Sequence, residues 1–284
     1  MSAVDFLFAQ LRTSGRKALM PFITAGDPDL AFTADLLREV AARGAALCEV
    51  GVPYSDPIAD GPVIQESYTR ALNRKVTSTD VLQCLSEVAP KLAVPLVTMV
   101  SYAIVFRRGL EQFVAHARRA GVAGLIVPDL PVEESGPLAA ICRRSDVSLT
   151  HLITPTTSWD RARRIAEAST GFIYYVSVTG ITGERTELPP ELADNVARLR
   201  EHTPLPVCIG FGISRAEHVR RLAPAADGLI VGSAIVRRMA EAGSGDRTRV
   251  LRQIGEFVAE LVAALDAAGD GKRDARTAAG RSAP

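Results

Sequence analysis

A carboxylate inside an apolar run is the first feature of this sequence that could do chemistry. Residues 46–52 read ALCEVGV, and as a strand they would set Cys48, Val50 and Val52 on one face and Leu47, Glu49 and Gly51 on the other. The first face suits contact with a helix layer, which leaves Glu49 pointing inward. No other predicted strand supplies a Lys or Arg to neutralise it. A carboxylate in such a place is costly to ionise, so its pKa rises and it becomes suited to moving protons near neutral pH. The next loop, Pro53-Tyr54-Ser55-Asp56-Pro57-Ile58-Ala59-Asp60-Gly61-Pro62, carries two more acids. Asp before Pro or Gly commonly caps a turn; Asp56 and Asp60 gain a chemical reading because their loop emerges directly above Glu49.

Three glycine-bearing stretches indicate what such a site would act on. They are Thr179-Gly180-Ile181-Thr182-Gly183, Gly210-Phe211-Gly212-Ile213-Ser214 and Gly232-Ser233-Ala234, each at the end of an apolar run. Glycine lets backbone N–H groups approach an anion closely, and a helix start adds its own N–H groups and dipole. Together they point to a small phosphorylated substrate. Among the histidines, His151 lies inside an apolar run and reads as core, whereas His116, His202 and His218 fall in helical patterns and read as surface. No HExxH, GxSxG or P-loop signature is present. Cys48, Cys84, Cys142 and Cys208 form no CxxC pair and read as reduced, mostly buried thiols. A metal site is not expected.

The elements that must position these residues repeat regularly. Apolar runs occur at 18–24, 46–52, 95–100, 124–129, 148–154, 172–178, 206–212 and 228–233. Nearly continuous apolar character reads as parallel strands covered on both faces. Helical patterns lie between them, with Leu30, Ala34, Leu37 and Ala41 on one stripe and Leu110, Phe113, Val114 and Ala117 on another. Glycines end these helices at Gly44 and Gly121. Val250, Ile254, Phe257, Val258, Leu261 and Leu265 form the last stripe. Eight strand–helix units predict an α/β protein with a single (β/α)8 TIM barrel over residues 1–267. An extra N-terminal helix, and an extra helix near 62–73 before the connecting helix from 78, complete it. A doubly wound open sheet fits less well, because no GxGxxG follows the first run and nothing reads as a second domain. Residues 268–284 are small, polar and aperiodic, and read as a disordered tail.

Charge and composition remove other classes of function. Lys and Arg number 33 against 32 Asp and Glu, so no global field draws the chain to nucleic acid or anionic lipid. The recurrent Arg-Arg pairs are scattered over predicted helices. The N-terminal segment lacks the pattern of a signal peptide, and no window resembles a membrane span. A cytoplasmic protein is expected.

The sequence resembles the alpha subunits of tryptophan synthase over about residues 5–262. The resemblance rests on PFITAGDPD at 21–29, EVGVPYSDPIADGPVIQ at 49–65, VPDLPVEES at 127–135, TGITG at 179–183, GFGIS at 210–214 and GSAIV at 232–236. It implies a lyase of tryptophan biosynthesis that cleaves indole-3-glycerol phosphate to indole and glyceraldehyde 3-phosphate. It also implies that Glu49 matches the acid/base and Asp60 the carboxylate that holds the indole N–H. Phe22 and Tyr174 match residues lining the indole pocket. Gly183, Gly212, Gly232 and Ser233 match the phosphate cradle, and Thr182 belongs to a closing loop that contacts Asp60. By the same resemblance this subunit holds no cofactor. Its partner would be a beta subunit carrying pyridoxal phosphate, in an alpha2beta2 heterotetramer through which indole is passed. The alternatives are a free-standing lyase and a non-catalytic barrel that activates a partner.

Overall fold

Strands that are largely apolar and buried at almost every position need cover on both faces, and the chain supplies it by alternating them with helices. The computed structural model describes residues 1–57, 60–176, 192–210 and 212–279, with side chains to residue 268. Its strands are β1 (Ala18–Thr24), β2 (Cys48–Gly51), β3 (Leu96–Met99), β4 (Val122–Ile126), β5 (Ser148–Thr150), β6 (Leu152–Ile153), β7 (Ile173–Val176), β8 (Val207–Gly210) and β9 (Gly228–Val231). All pairings are parallel, in the order β5-β4-β3-β2-β1-β9-β8-β7-β6.

Only His151 separates β5 from β6, and the two halves look in opposite directions. β5 pairs with β4 and β6 pairs with β7, so this interrupted strand carries the sheet round onto itself. The nine strands therefore occupy the eight positions of the expected barrel. The predicted single run at 148–154 breaks because its partner changes along its length. Tyr174 N–H still donates to the His151 carbonyl at 3.1 Å across the break.

The helices are α1 (Ala3–Ser14), α2 (Leu30–Ala42), α3 (Pro62–Asn73), α4 (Ser78–Val88), α5 (Tyr102–Arg108), α6 (Leu110–Arg119), α7 (Gly136–Arg144), α8 (Trp159–Ala168), α9 (Leu192–Glu201), α10 (Ala216–Leu222), α11 (Ser233–Ala240) and α12 (Arg247–Ala279). The expected extra helices are α1 and α3. α1 starts at a capping box between Ser2 and Asp5 and ends at Gly15, whose φ of 68° is left-handed. It lies against the N-terminal strand ends: Ser2 Oγ meets Ser148 Oγ at 2.5 Å, and Asp5 accepts from the Gly171 N–H at 3.1 Å. The expected tail at 268–284 falls almost wholly on residues whose side chains lie outside the described residues; the backbone of α12 runs to Ala279.

α3 sets the position of Asp60. Gly61 is its N-cap and Pro62 its first residue, a position where the missing N–H costs nothing and the ring presets the backbone. The helix therefore begins directly after Asp60. Two contacts fasten it to the end of β1 and the loop beyond: Thr24 Oγ1 meets Ser67 Oγ at 2.7 Å, and Arg70 donates to both carboxylate oxygens of Asp27, at 2.9 and 2.7 Å. Asp27 is 1% exposed. Arg70→Ala would strand that carboxylate in a buried place, at a cost of about 2–3 kcal/mol, because water reaches the Arg side of the pair and softens the loss. A urea-melt midpoint equal to that of the parent would show that Asp27 needs no such partner.

Candidate active site

Glu49 sits level with Phe22 on β1 and Val97 on β3. It is 0% exposed, and neither carboxylate oxygen has a hydrogen-bond partner among the described residues. Burial, reinforced by the charge of Asp60, pushes its pKa up to about 8. The inward direction of this face is fixed by its next member, Gly51. A Cβ at Gly51 would stand 2.5 Å from Phe22 Cζ and 2.7 Å from the Tyr68 hydroxyl. The absent side chain is what admits both rings. Tyr68 comes from α3, is fully buried, and its hydroxyl has no partner among the described residues.

Asp60 is held by its backbone, which leaves its carboxylate available. Its N–H donates to the Pro57 carbonyl at 3.0 Å, and its own carbonyl accepts from Gln65 Nε2 at 2.8 Å. Gln65 also reaches the Pro57 carbonyl at 3.3 Å, so one side chain of α3 ties both ends of the turn. The Tyr54 hydroxyl donates to Asp60 Oδ2 at 3.4 Å, and the Tyr54 and Tyr68 rings are 5.4 Å apart. Burial raises the Asp60 pKa to about 6, with the Tyr54 hydrogen bond working against the rise. Asp56, by contrast, is exposed and accepts from Ser55 Oγ at 2.5 Å; it serves the turn and does not join the site.

Phe22, Asp60, Ile64, Met99 and Tyr174 wall one end of a cavity at the C-terminal mouth of the barrel. Tyr174 finds room because Gly210, which its phenol overlies, has no Cβ to meet it. Apart from Asp60 and the Tyr174 hydroxyl the side chains here are apolar, which suits a ring system with one polar N–H. Gly212, Ile213, Gly232, Ser233 and Ala234 wall the other end. Gly212 has a φ of 76°, a left-handed conformation that disfavours any other residue. Gly232 caps α11 with no side-chain hydrogen bond, and the N–H groups of Ile235 and Val236 already turn onto its carbonyl. The first N–H groups of α11, on Ser233 and Ala234, have no acceptor within the helix. With the helix dipole behind them they are an arrangement able to hold an anion.

The structure thus brings together Asp60, Phe22, Tyr174, Gly212, Gly232 and Ser233 around one cavity, with Glu49 close to Asp60 and Tyr174 but not itself part of the cavity lining. Thr182 and Gly183 lie outside the described residues. The surface reading of His218 is overturned: it is 5% exposed, because the short α10 turns it back toward Gly212. His151 is buried as expected, with Nδ1 3.3 Å from Ser169 Oγ, although Nε2 has no partner among the described residues. The four cysteines are free, and all but the half-buried Cys84 are buried. No group of residues suited to a metal ion occurs among the described residues. Tyr54, Gln65 and Tyr68 were not singled out from the sequence. Their signal was local: Ile64, Tyr68 and Ala71 share a helical stripe, and Gln65 faces the loop whose turn it ties.

Comparison with known proteins bears on the family and the fold. The family model described as tryptophan synthase alpha chain matches residues 8–265. The chain is similar to the tryptophan synthase alpha chain of Rhodopirellula baltica, at 54% identity over 278 residues, covering 94% of this chain and 100% of that one. It is also similar to the solved alpha subunit from Legionella pneumophila str. Paris, with TM-score 0.85, 31% identity and coverage of 94% of this chain and 99% of that one. A chain from a structure of the tryptophan synthase a2b2 complex of Pyrococcus furiosus matches with TM-score 0.81 and 36% identity, over 87% of this chain and 99% of that one.

The packing at Gly51 is directly testable. Gly51→Ala must displace Phe22 or Tyr68, and overpacking of this kind costs about 1–3 kcal/mol. A thermal midpoint unchanged from the parent would mean that the rings are not held as described.

Proposed function

This chain belongs to the tryptophan synthase alpha chain family, and from that premise we propose how its own residues cleave indole-3-glycerol phosphate to indole and glyceraldehyde 3-phosphate. The bond to be broken joins indole C3 to the side-chain carbon bearing a hydroxyl. Indole leaves poorly as a carbanion. Protonation at C3 places positive charge on the ring nitrogen; the bonding pair then returns to the ring as the hydroxyl loses its proton and becomes the aldehyde. One proton enters and one leaves.

Glu49 supplies the first proton and takes up the second. The observation that carries this role is its full burial without a partner, which holds it protonated up to about pH 8. Asp60, lower at about 6, is ionised while Glu49 is not. It accepts the indole N–H and steadies the positive charge that develops there. Two carboxylates with separated pKa values are thereby divided into an acid and a charge stabiliser. Phe22 and Tyr174, with Ile64 and Met99, hold the indole ring. Gly212, Gly232 and Ser233 hold the phosphate, and the resemblance adds Gly183 to that cradle and Thr182 to a loop that closes over it. Residues 1–267 form one catalytic barrel in this reading.

The partner is a tryptophan synthase beta chain, in an alpha2beta2 assembly of the kind named for Pyrococcus furiosus. The beta chain holds the pyridoxal phosphate and consumes the indole; this chain contributes no cofactor of its own. Support for a docking surface comes from α5, which leaves the C-terminal end of β3 with Phe106 66% exposed. Ser101 Oγ and the Tyr102 N–H both donate to Asp129, each at 2.7 Å, and anchor the start of that helix. No helix among the described residues is long and apolar enough to cross a membrane. We place the complex in the cytoplasm.

Glu49→Gln keeps the shape of the side chain and removes the titrating group. Indole release should fall by about 10²–10⁴ in kcat with KM little changed, and retained turnover would remove Glu49 from the role. Asp60→Asn, which keeps an acceptor but not the charge, should lose about 10²–10³ in kcat.

The pH dependence arises from the same two groups. Below about 6 Asp60 takes up a proton and loses its charge; above about 8 Glu49 loses the proton it must deliver. The profile of kcat/KM should be a bell with limbs near those values. A rate that keeps rising above pH 8 would contradict a protonated Glu49 as the acid.

A further inference from the structure

We propose that His218 is a positioning residue for the phosphate end of the cavity, holding the Gly212 carbonyl so that the next peptide N–H, that of Ile213, faces the anion. The inference rests on the reading of Gly212, Gly232 and Ser233 as a phosphate cradle. His218 lies on α10 and is 5% exposed. Its Nδ1 is 3.0 Å from the Gly212 carbonyl oxygen, and Arg215 Nε donates to its Nε2 at 3.0 Å.

These two contacts fix the tautomer. A guanidinium can only donate, so Nε2 is the accepting nitrogen and Nδ1 carries the ring proton, which it gives to Gly212. The Ser214 N–H also approaches Nδ1, at 3.4 Å. With the proton on Nδ1, that longer approach is a contact and not a hydrogen bond.

The consequence for the cavity comes from the peptide plane. In a trans peptide the C=O and the following N–H point in opposite directions. Gly212 and Ile213 both line the cavity, and the Gly212 carbonyl is turned away to His218. The Ile213 N–H is therefore turned the other way, toward the cavity. A peptide beside a glycine at φ 76° could flip at small steric cost. The buried ring of His218, from the neighbouring helix, fixes which of the two orientations is taken. Arg215 in turn orients that ring.

Three substitutions test the assignment. His218→Asn places an amide N–H where Nδ1 stands and keeps the donor to Gly212. His218→Gln reaches only the Nε2 position, and His218→Ala removes both. The measurements are steady-state indole release and the calorimetric affinity for glycerol 3-phosphate, with indole as the ligand that lacks the anion. The Ala and Gln variants should raise KM and weaken glycerol 3-phosphate binding by about three- to tenfold, the usual worth of one hydrogen bond. Their kcat and their indole affinity should stay near the parent values, and the Asn variant should bind glycerol 3-phosphate nearly as the parent does.

Equal binding by Ala, Gln and parent would overturn the proposal. So would a loss shared by Asn, or one that extends to indole, since either would mark His218 as packing alone. If the Ala variant does not fold, the comparison of Asn with Gln decides on the same terms. A parent protein that fails to bind glycerol 3-phosphate would instead refute the phosphate cradle itself, and the inference with it.

Discussion

The rest of the site depends on the desolvation of one carboxylate. Glu49 is buried with no donor to its oxygens among the described residues, and its pKa of about 8 lies well above the ordinary 4.5. A group whose folded pKa is raised binds its proton more tightly in the folded state. Folding stability therefore falls as pH rises from about 4.5 to about 8, and by pH 7 the deficit from this one side chain is about 3 kcal/mol. A cost of that size persists only if the surrounding barrel supplies a surplus. The strand ladders on both sides of β2 and the fully buried packing of its neighbours provide it.

Asp60 has to remain easier to ionise than Glu49, and the local fold keeps it so. It stands at the rim, on a turn tied by Gln65, with Tyr54 donating to its carboxylate. α3 carries this turn at its start and is bound to the end of β1 through Ser67 and to the loop beyond it through Arg70. β1 also carries Phe22, whose ring occupies the space left by Gly51. The carboxylates and Phe22 are thus placed by one packed unit of β1, β2 and α3, while Tyr174 comes from β7. Gly51 and Gly210 act there by what they lack, since each vacated Cβ position is taken by a ring of the site.

Much of this was legible in the residues, because period-two alternation puts a lone acid on an inward face and apolar runs announce parallel strands. The parts that were not legible share a physical cause: they are set by partners distant in sequence. The break at His151 arises where pairing passes from β4 to β7, and an apolar run reads the same whichever neighbour it has. Asp27 and Arg70 are 43 residues apart, with no local pattern joining them. Tyr68 lies on a visible helical stripe, yet the stripe alone could not tell a core ring from one at the mouth of the barrel. His218 was misread because a seven-residue helix presents too few turns for its buried face to show in the spacing.

The two ends of the cavity gain their selectivity by opposite means. Around Glu49 hydrogen-bond donors are withheld among the described residues, so that in the proposed reading its carboxylate keeps its proton until the ring carbon is brought to it. The other end offers backbone donors and a helix dipole, which in the proposed reading recognise a phosphate and do not titrate near neutral pH. In the proposed reaction the phosphate takes no part in the bond that breaks, and its capture holds substrate and transition state alike. Binding energy of that kind appears in KM, whereas interactions that strengthen only as charge develops at the ring appear in kcat. On that reading the peptide between Gly212 and Ile213 serves capture, and Glu49 serves the bond that breaks.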